Sequence, residues 1–128
     1  MNNVFTDIRQ HSIVEPATLT SGVVFALPHS GRDYGVSFLN QSILDSISIR
    51  SSEDAFLDQL IDGIEKYGAP KIVANAPRAF IDLNRSTDEL DPALISGIKN
   101  NIRNPRISSG LGVIPRVVSH GKEIYRGK

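Results

Sequence analysis

The chain has 128 residues, 40% of them hydrophobic, which is one domain's length and enough apolar material for a modest core. Fourteen Lys and Arg balance fourteen Asp and Glu, so the strongly basic surface of a nucleic-acid binder is absent. There is no cysteine, which excludes disulfides, thiolate metal sites and a cysteine nucleophile; a metal would have to be held by His, Asp or Glu.

Residues 1–20 mix polar and apolar positions without a clear period, are interrupted by Pro16, and read as an arm or edge element. The opening MNNVFTDIRQHSIVEP lacks the cationic patch and apolar stretch of a secretory signal. No run approaches the roughly 20 apolar residues that span a bilayer. The expectation is a soluble, cytoplasmic protein with neither a membrane nor a nucleic-acid partner.

Residues 23–27, VVFAL, form a short apolar run between Ser21-Gly22 and Pro28, as in a strand buried on both faces. Pro28, His29, Ser30 and Gly31 then form a strand-to-loop exit. In SSEDAFLDQLIDGIEKYGAP, Phe56, Leu57, Leu60, Ile61 and Ile64 recur with the helical period. Ser51 with Asp54 matches a capping box, and Gly68 with Pro70 supplies a stop. Residues 71–75 and 79–83 read as further strands, giving a βαβ-like order and an α/β fold. Residues 86–104, rich in Asp, Asn, Ser and Pro, suit a functional loop. Val113, Ile114, Val117 and Val118, a turn at Gly121, and Ile124-Tyr125 suggest a terminal hairpin.

Three constellations could carry chemistry. His29 sits on a loop at the carboxyl end of a strand, where open α/β sheets present ligands, but the acid expected three residues later is Arg32. Taken alone it is either a first metal ligand or an ordinary turn residue. Glu53 and Asp54 could be ligands, or acids that favour a helix N-terminus. Arg78, Asp82, Asn84 and Arg85 could form an anion clamp, or Asp82 could pair with an arginine on the surface. SSGLG, residues 108–112, lacks a P-loop lysine and the spacing of a dinucleotide fingerprint. No Ser-His-acid triad assembles from His11, His29 and His120.

Taken together, PHSG after a strand, SSEDAFLD opening a helix, PRAFIDLNR, ELDP and GLGVIPRV followed by GKEIYRGK resemble the N-formylglutamate amidohydrolase family over most of the chain. The resemblance implies a three-layer α/β/α fold around a mixed sheet, like that of zinc carboxypeptidases and aspartoacylases. It implies metal-dependent hydrolysis of N-formyl-L-glutamate, or a related small N-acyl amino acid, in histidine breakdown. By the same likeness His29 and Asp54, with Glu53 as the alternative acid, would hold zinc or another divalent metal. Arg78 would stabilise the oxyanion, and Asn84 and Arg85 would bind a substrate carboxylate.

Family members continue to a DCHS-type motif bearing a third ligand and to a general base. The resemblance therefore implies that residues 1–128, one domain, form the N-terminal portion of such an enzyme. Activity would then need a complementary chain or an unseen remainder of the protein to complete the site, the alternative being an inactive binding domain. His120, in the predicted hairpin turn, is the remaining candidate for a replacement ligand. A truncated sheet would also favour self-association.

Overall fold

The computed structural model describes residues 10–99 and 104–127. The first nine residues of the predicted arm and residues 100–103 of the predicted loop lie outside the described residues. Three short strands form one mixed sheet: β1 (His11–Val14), β2 (Phe25–Leu27) and β3 (Lys71–Ala74), in the order β1-β3-β2. β3 pairs antiparallel with β1, His11 opposite Ala74, and parallel with β2, Phe25 opposite Lys71. The fold class is therefore α/β, and the arm contains an edge strand. Because β2 and β3 run parallel, both of their chains leave the sheet at one end, toward His29 and toward Asn75.

β2 is not buried on both faces. It lies at an edge among the described strands; Ala26 is exposed, Leu27 is buried, and Val23 and Val24 just before it are more than half exposed. An apolar run alone cannot distinguish a central strand from an edge strand whose outer face lacks a covering layer.

The predicted long helix is broken. Its regular part is α2 (Leu57–Leu60), followed by a 3-10 turn (Ile64–Tyr67). Gly63 adopts φ 85°, interrupting the helix between them, and Gly68 at φ 76° ends the second piece where the stop was expected. The capping box does not form. Ser51 closes an earlier 3-10 turn (Ser48–Arg50), and the Asp54 amide donates to the His29 carbonyl at 3.0 Å. The apolar stripe gains little burial, with Leu60 80% and Phe56 63% exposed. A segment of this length depends on such packing, since isolated helices shorter than about 12–15 residues are marginal in water.

Residues 79–83 are not a strand either. The Pro77 carbonyl accepts from the amides of Phe80 and Ile81, making one helical turn. Small Ala76 and Ala79 let it sink into the interior, where Pro77 is also fully buried. That turn puts Arg78 and Asp82 four residues apart on one side.

The core gathers around a helix that the pattern did not reveal, α1 (Val36–Gln41). Its Phe38 is 1% exposed and packs with Ile49, Ala76, Ala79, Val118 and Ile124. The Phe38 ring meets those of Phe80 at 5.2 Å, Tyr34 at 6.2 Å and Tyr125 at 6.3 Å between centroids. A last helix, α3 (Pro105–Ser108), uses Asn104 as its side-chain cap and Pro105 in its first turn, so the predicted turn there opens a helix. The terminal hairpin is present in minimal form. Val117 bridges Glu123 antiparallel, the Val118 amide donates to the Lys122 carbonyl, and a 3-10 turn (Ser119–Gly121) closes it.

Replacing Phe38 by Ala should lower stability by about 3–5 kcal/mol, whereas Leu60→Ala should stay within about 0.5 kcal/mol. Urea unfolding of both variants checks this; equal losses would mean that the α2 stripe is packed after all.

Candidate functional site

The site is assembled where the loops after β2 and β3 meet. Gly31 presses against the chain leaving β3; a Cβ there would fall on the Ala76 carbonyl. This close approach explains the glycine of PHSG better than any turn requirement. The Asp33 amide donates to the Asn75 carbonyl at 2.9 Å and fixes the loop from its far side.

His29 is thereby held between two carboxylates. Its Nε2 lies 2.8 Å from Asp82 Oδ1, and its Nδ1 lies 3.6 Å from Asp54 Oδ2. Asp82 is 2% exposed. Burial pushes its carboxyl up, but the His29 hydrogen bond, the Asn84 amide at 2.9 Å, and the charges of His29 and Arg78 outweigh this and hold it below the usual carboxylate range. An ionised carboxylate can only accept, so Nε2 carries the proton and donates. In the neutral ring, Nδ1 is then left with a lone pair directed to the Asp54 side.

The same carboxylate organises two arginines. Arg78 Nε donates to Asp82 Oδ2 at 3.2 Å, and Arg85 Nη2 lies 3.6 Å from that oxygen. Arg85 is further tied by Nε to the Leu111 carbonyl at 3.2 Å and by Nη1 to the Asn84 carbonyl at 2.9 Å. The Asp82 amide donates to the Val113 carbonyl at 2.8 Å, so the GLG segment acts as scaffold for this cluster.

Glu53 and Asp54 have different surroundings. Glu53 accepts from the Tyr34 hydroxyl at 2.6 Å and pairs with Arg50 at 3.2 Å. Burial, followed by the hydrogen bond to Glu53, pushes the Tyr34 hydroxyl far above its ordinary value, so it remains a donor. The Asp54 carboxylate is half exposed and faces His29.

A cleft of about 510 Å³ opens over this cluster. Asp54, Arg78 and Asp82 line one part, Leu111, Val117 and Val118 supply apolar wall, and Ser51, Ser119 and His120 also border it. His29, Asn84 and Arg85 are not among its lining residues. The expected residues are thus brought together in part: His29, Arg78 and Arg85 each approach Asp82, Asp54 faces His29, and of these Asp54, Arg78 and Asp82 line the cleft.

The donors can be tested against a metal's requirements. A separation of 3.6 Å is too long for a hydrogen bond, but close to the roughly 3.3 Å between two ligands of a tetrahedral ion with bonds near 2.0–2.1 Å. The imidazole is backed by a carboxylate on its other nitrogen, the usual support of a ligating histidine. Among the described residues, no group of three or more His, Asp or Glu is arranged to hold an ion. His29 and Asp54 therefore fit two corners of a metal site, and a closed site needs further donors.

Asp82, expected as a clamp member or as the partner of a surface arginine, is instead buried and is the residue around which the cluster forms. Tyr34, which engages Glu53, had no signal in the sequence.

The N-formylglutamate amidohydrolase family model matches residues 21–128. The fold is similar to the crystal structure of N-formylglutamate amidohydrolase from Ralstonia eutropha JMP134, with 25% sequence identity and a TM-score of 0.76. The similarity covers 93% of this chain and 42% of that one, so this chain spans less than half the relative's length. No curated protein matches the sequence.

Asp82→Asn should destabilise the protein by about 1–3 kcal/mol at neutral pH, through loss of the buried charge facing His29 and Arg78. Because the folded carboxyl titrates below its ordinary 3.8, its stabilisation is complete above that value and lost as pH falls through the lowered one. Urea unfolding at neutral and acid pH should show the wild type losing more stability than the variant. Parallel losses would contradict the role assigned to this carboxylate.

Proposed function

The chain belongs to the N-formylglutamate amidohydrolase family, and from that premise we propose that it serves metal-dependent hydrolysis of N-formyl-L-glutamate or a related N-acyl amino acid. The products would be formate, or another carboxylate, and the free amino acid. The observation that carries the reading is His29 fixed between Asp82 and Asp54, two residues that line a cleft together with Arg78.

In this reading His29 Nδ1 and Asp54 Oδ2 hold zinc or another divalent ion. Asp54 is favoured over Glu53 because Glu53 is occupied by Tyr34 and Arg50. When bound, the ion acidifies a water molecule and polarises the scissile carbonyl. Asp82 keeps the proton on Nε2 and turns Nδ1 toward Asp54. It also orients Arg78 through Nε, so that the guanidinium can meet negative charge developing on the carbonyl oxygen. Asn84 and Arg85 take the substrate's α-carboxylate, which requires Arg85 to exchange its carbonyl partners for the substrate.

We extend the reading to the whole assembly. The three-stranded sheet is part of a three-layer α/β/α arrangement, and residues 1–128 act as one unit, the N-terminal portion of such an enzyme. The donors that the described residues lack would come from elsewhere in the enzyme, from a complementary chain or from self-association. The exposure of Val23, Val24 and Leu60 supports an additional layer. The reaction is a cytoplasmic step of histidine breakdown. A second reading, an inactive domain that binds a carboxylate without turnover, is favoured by the presence of only two suitably placed metal donors among the described residues.

Calorimetry should detect zinc binding that His29→Ala abolishes and Asp82→Ala weakens by about 10–100-fold. Formate release from N-formyl-L-glutamate should be zinc-dependent and absent in His29→Ala. Unchanged zinc affinity in His29→Ala would overturn the metal assignment; zinc binding without formate release would select the inactive-domain reading.

A further inference from the structure

One residue on the cleft is poorly explained by the fold. His120 is exposed and borders the same cleft as Asp54, Arg78 and Asp82. Its backbone lies at φ 61° and ψ 22°, in the left-handed region that favours glycine, although Gly121 follows immediately. An exposed side chain in that conformation gains little from burial, while a glycine would relieve the strain.

The tip that carries it is held in place. Ser119 Oγ donates to the Ser51 carbonyl at 2.6 Å, and Lys122 Nζ donates to Ser48 Oγ at 3.3 Å. These two contacts, one on either side of His120, strap the hairpin to the chain that leads into Glu53 and Asp54. The Val118 amide bound to the Lys122 carbonyl closes the tip beneath them.

Charge then separates the roles around the cleft. Its acids are Glu53, Asp54 and Asp82, and its candidate cations are Arg78 and His120. Arg78 is anchored to Asp82, and Arg85, which is not among the lining residues, has three of its nitrogens directed to Leu111, Asn84 and Asp82. A dicarboxylate lying in the cleft has a second carboxylate to satisfy besides the one near Arg78, and His120 on the hairpin tip also borders the cleft.

We propose that His120 is a specificity-determining residue, donating a hydrogen bond to the side-chain carboxylate of an acidic N-acyl amino acid held in this cleft. The proposal rests on the reading of the cleft as a site for N-acyl amino acids, and deepens it by assigning selectivity for the acidic side chain to the hairpin tip.

The test measures binding of N-formyl-L-glutamate and its uncharged analogue N-formyl-L-glutamine to the full 128-residue chain with zinc present. The wild type should prefer the acid. His120→Gly should fold at least as stably, because glycine suits the backbone, and should lower the acid-to-amide affinity ratio by about tenfold, the scale of one charge-assisted hydrogen bond. His120→Gln, which keeps a donor, should recover part of that ratio. An unchanged ratio in His120→Gly, with Arg85→Ala still weakening binding of both ligands, would overturn the proposal and leave the cleft reading standing. Failure of the wild type to bind either ligand would overturn both.

Discussion

The buried carboxylate of Asp82 is the constraint on which the site depends. Removing an ion from water costs several kcal/mol unless partners replace its hydration. Here those partners are His29 Nε2, the Asn84 amide, Arg78 Nε and, at longer range, Arg85. Arg78, Asn84 and Arg85 are neighbours of Asp82 in the chain, whereas His29 comes from the loop after β2. Satisfying one charge therefore orders residues 78–85 locally and ties them to the His29 loop. The ring proton of His29 is settled by the same requirement.

The fold delivers Asp82 to that position through packing. Parallel pairing of β2 with β3 brings the two loops out side by side, and Gly31 permits their backbones to approach without a Cβ between them. The turn beginning at Pro77 rests on Ala76 and Ala79, which also contact the Phe38 core. Core and site share residues, so the Arg78–Asp82 turn is anchored by apolar burial as well as by charge. A second buried carboxylate repeats the device: Asp91, 3% exposed, caps its own turn through the Ala93 amide and accepts from Arg116 Nε at 3.0 Å. It holds ELDP against the base of the hairpin whose tip carries His120.

Part of the clustering of charged residues was legible in the sequence, and less of the backbone. PHSG, the acids near residue 54 and DLNR converge as their types suggested, because charged groups find partners over distances that local pattern does not encode. The long helix does not form because a 3.6-residue stripe reports only a face that could be buried. Here Phe56 and Leu60 remain exposed, Gly63 turns the chain, and the Asp54 amide is taken by His29. Residues 79–83 fit a strand by composition, but Pro77 and two small alanines favoured a buried turn. α1 left no signal because VSFLNQ contributes a single buried side chain, Phe38, too little to set a period.

The broken helix and the ordered site share a cause. Had residues 51–67 formed one capped helix, the Asp54 amide would have joined its first turn, and the loop bearing His29 would have lost its backbone partner. The hydrogen bond from Asp54 to the His29 carbonyl instead couples the acid directly to the imidazole it faces. Local helical preference yields to a longer-range contact that positions two side chains, which is where departures from local sequence rules are expected to concentrate. The strained backbone at His120 follows the same logic, with Ser119 and Lys122 holding the tip against the segment leading to Asp54. The His29 loop and the hairpin tip are thus both tied to one short stretch of chain, residues 48–54, and a shift in that stretch would move the imidazoles of His29 and His120 together.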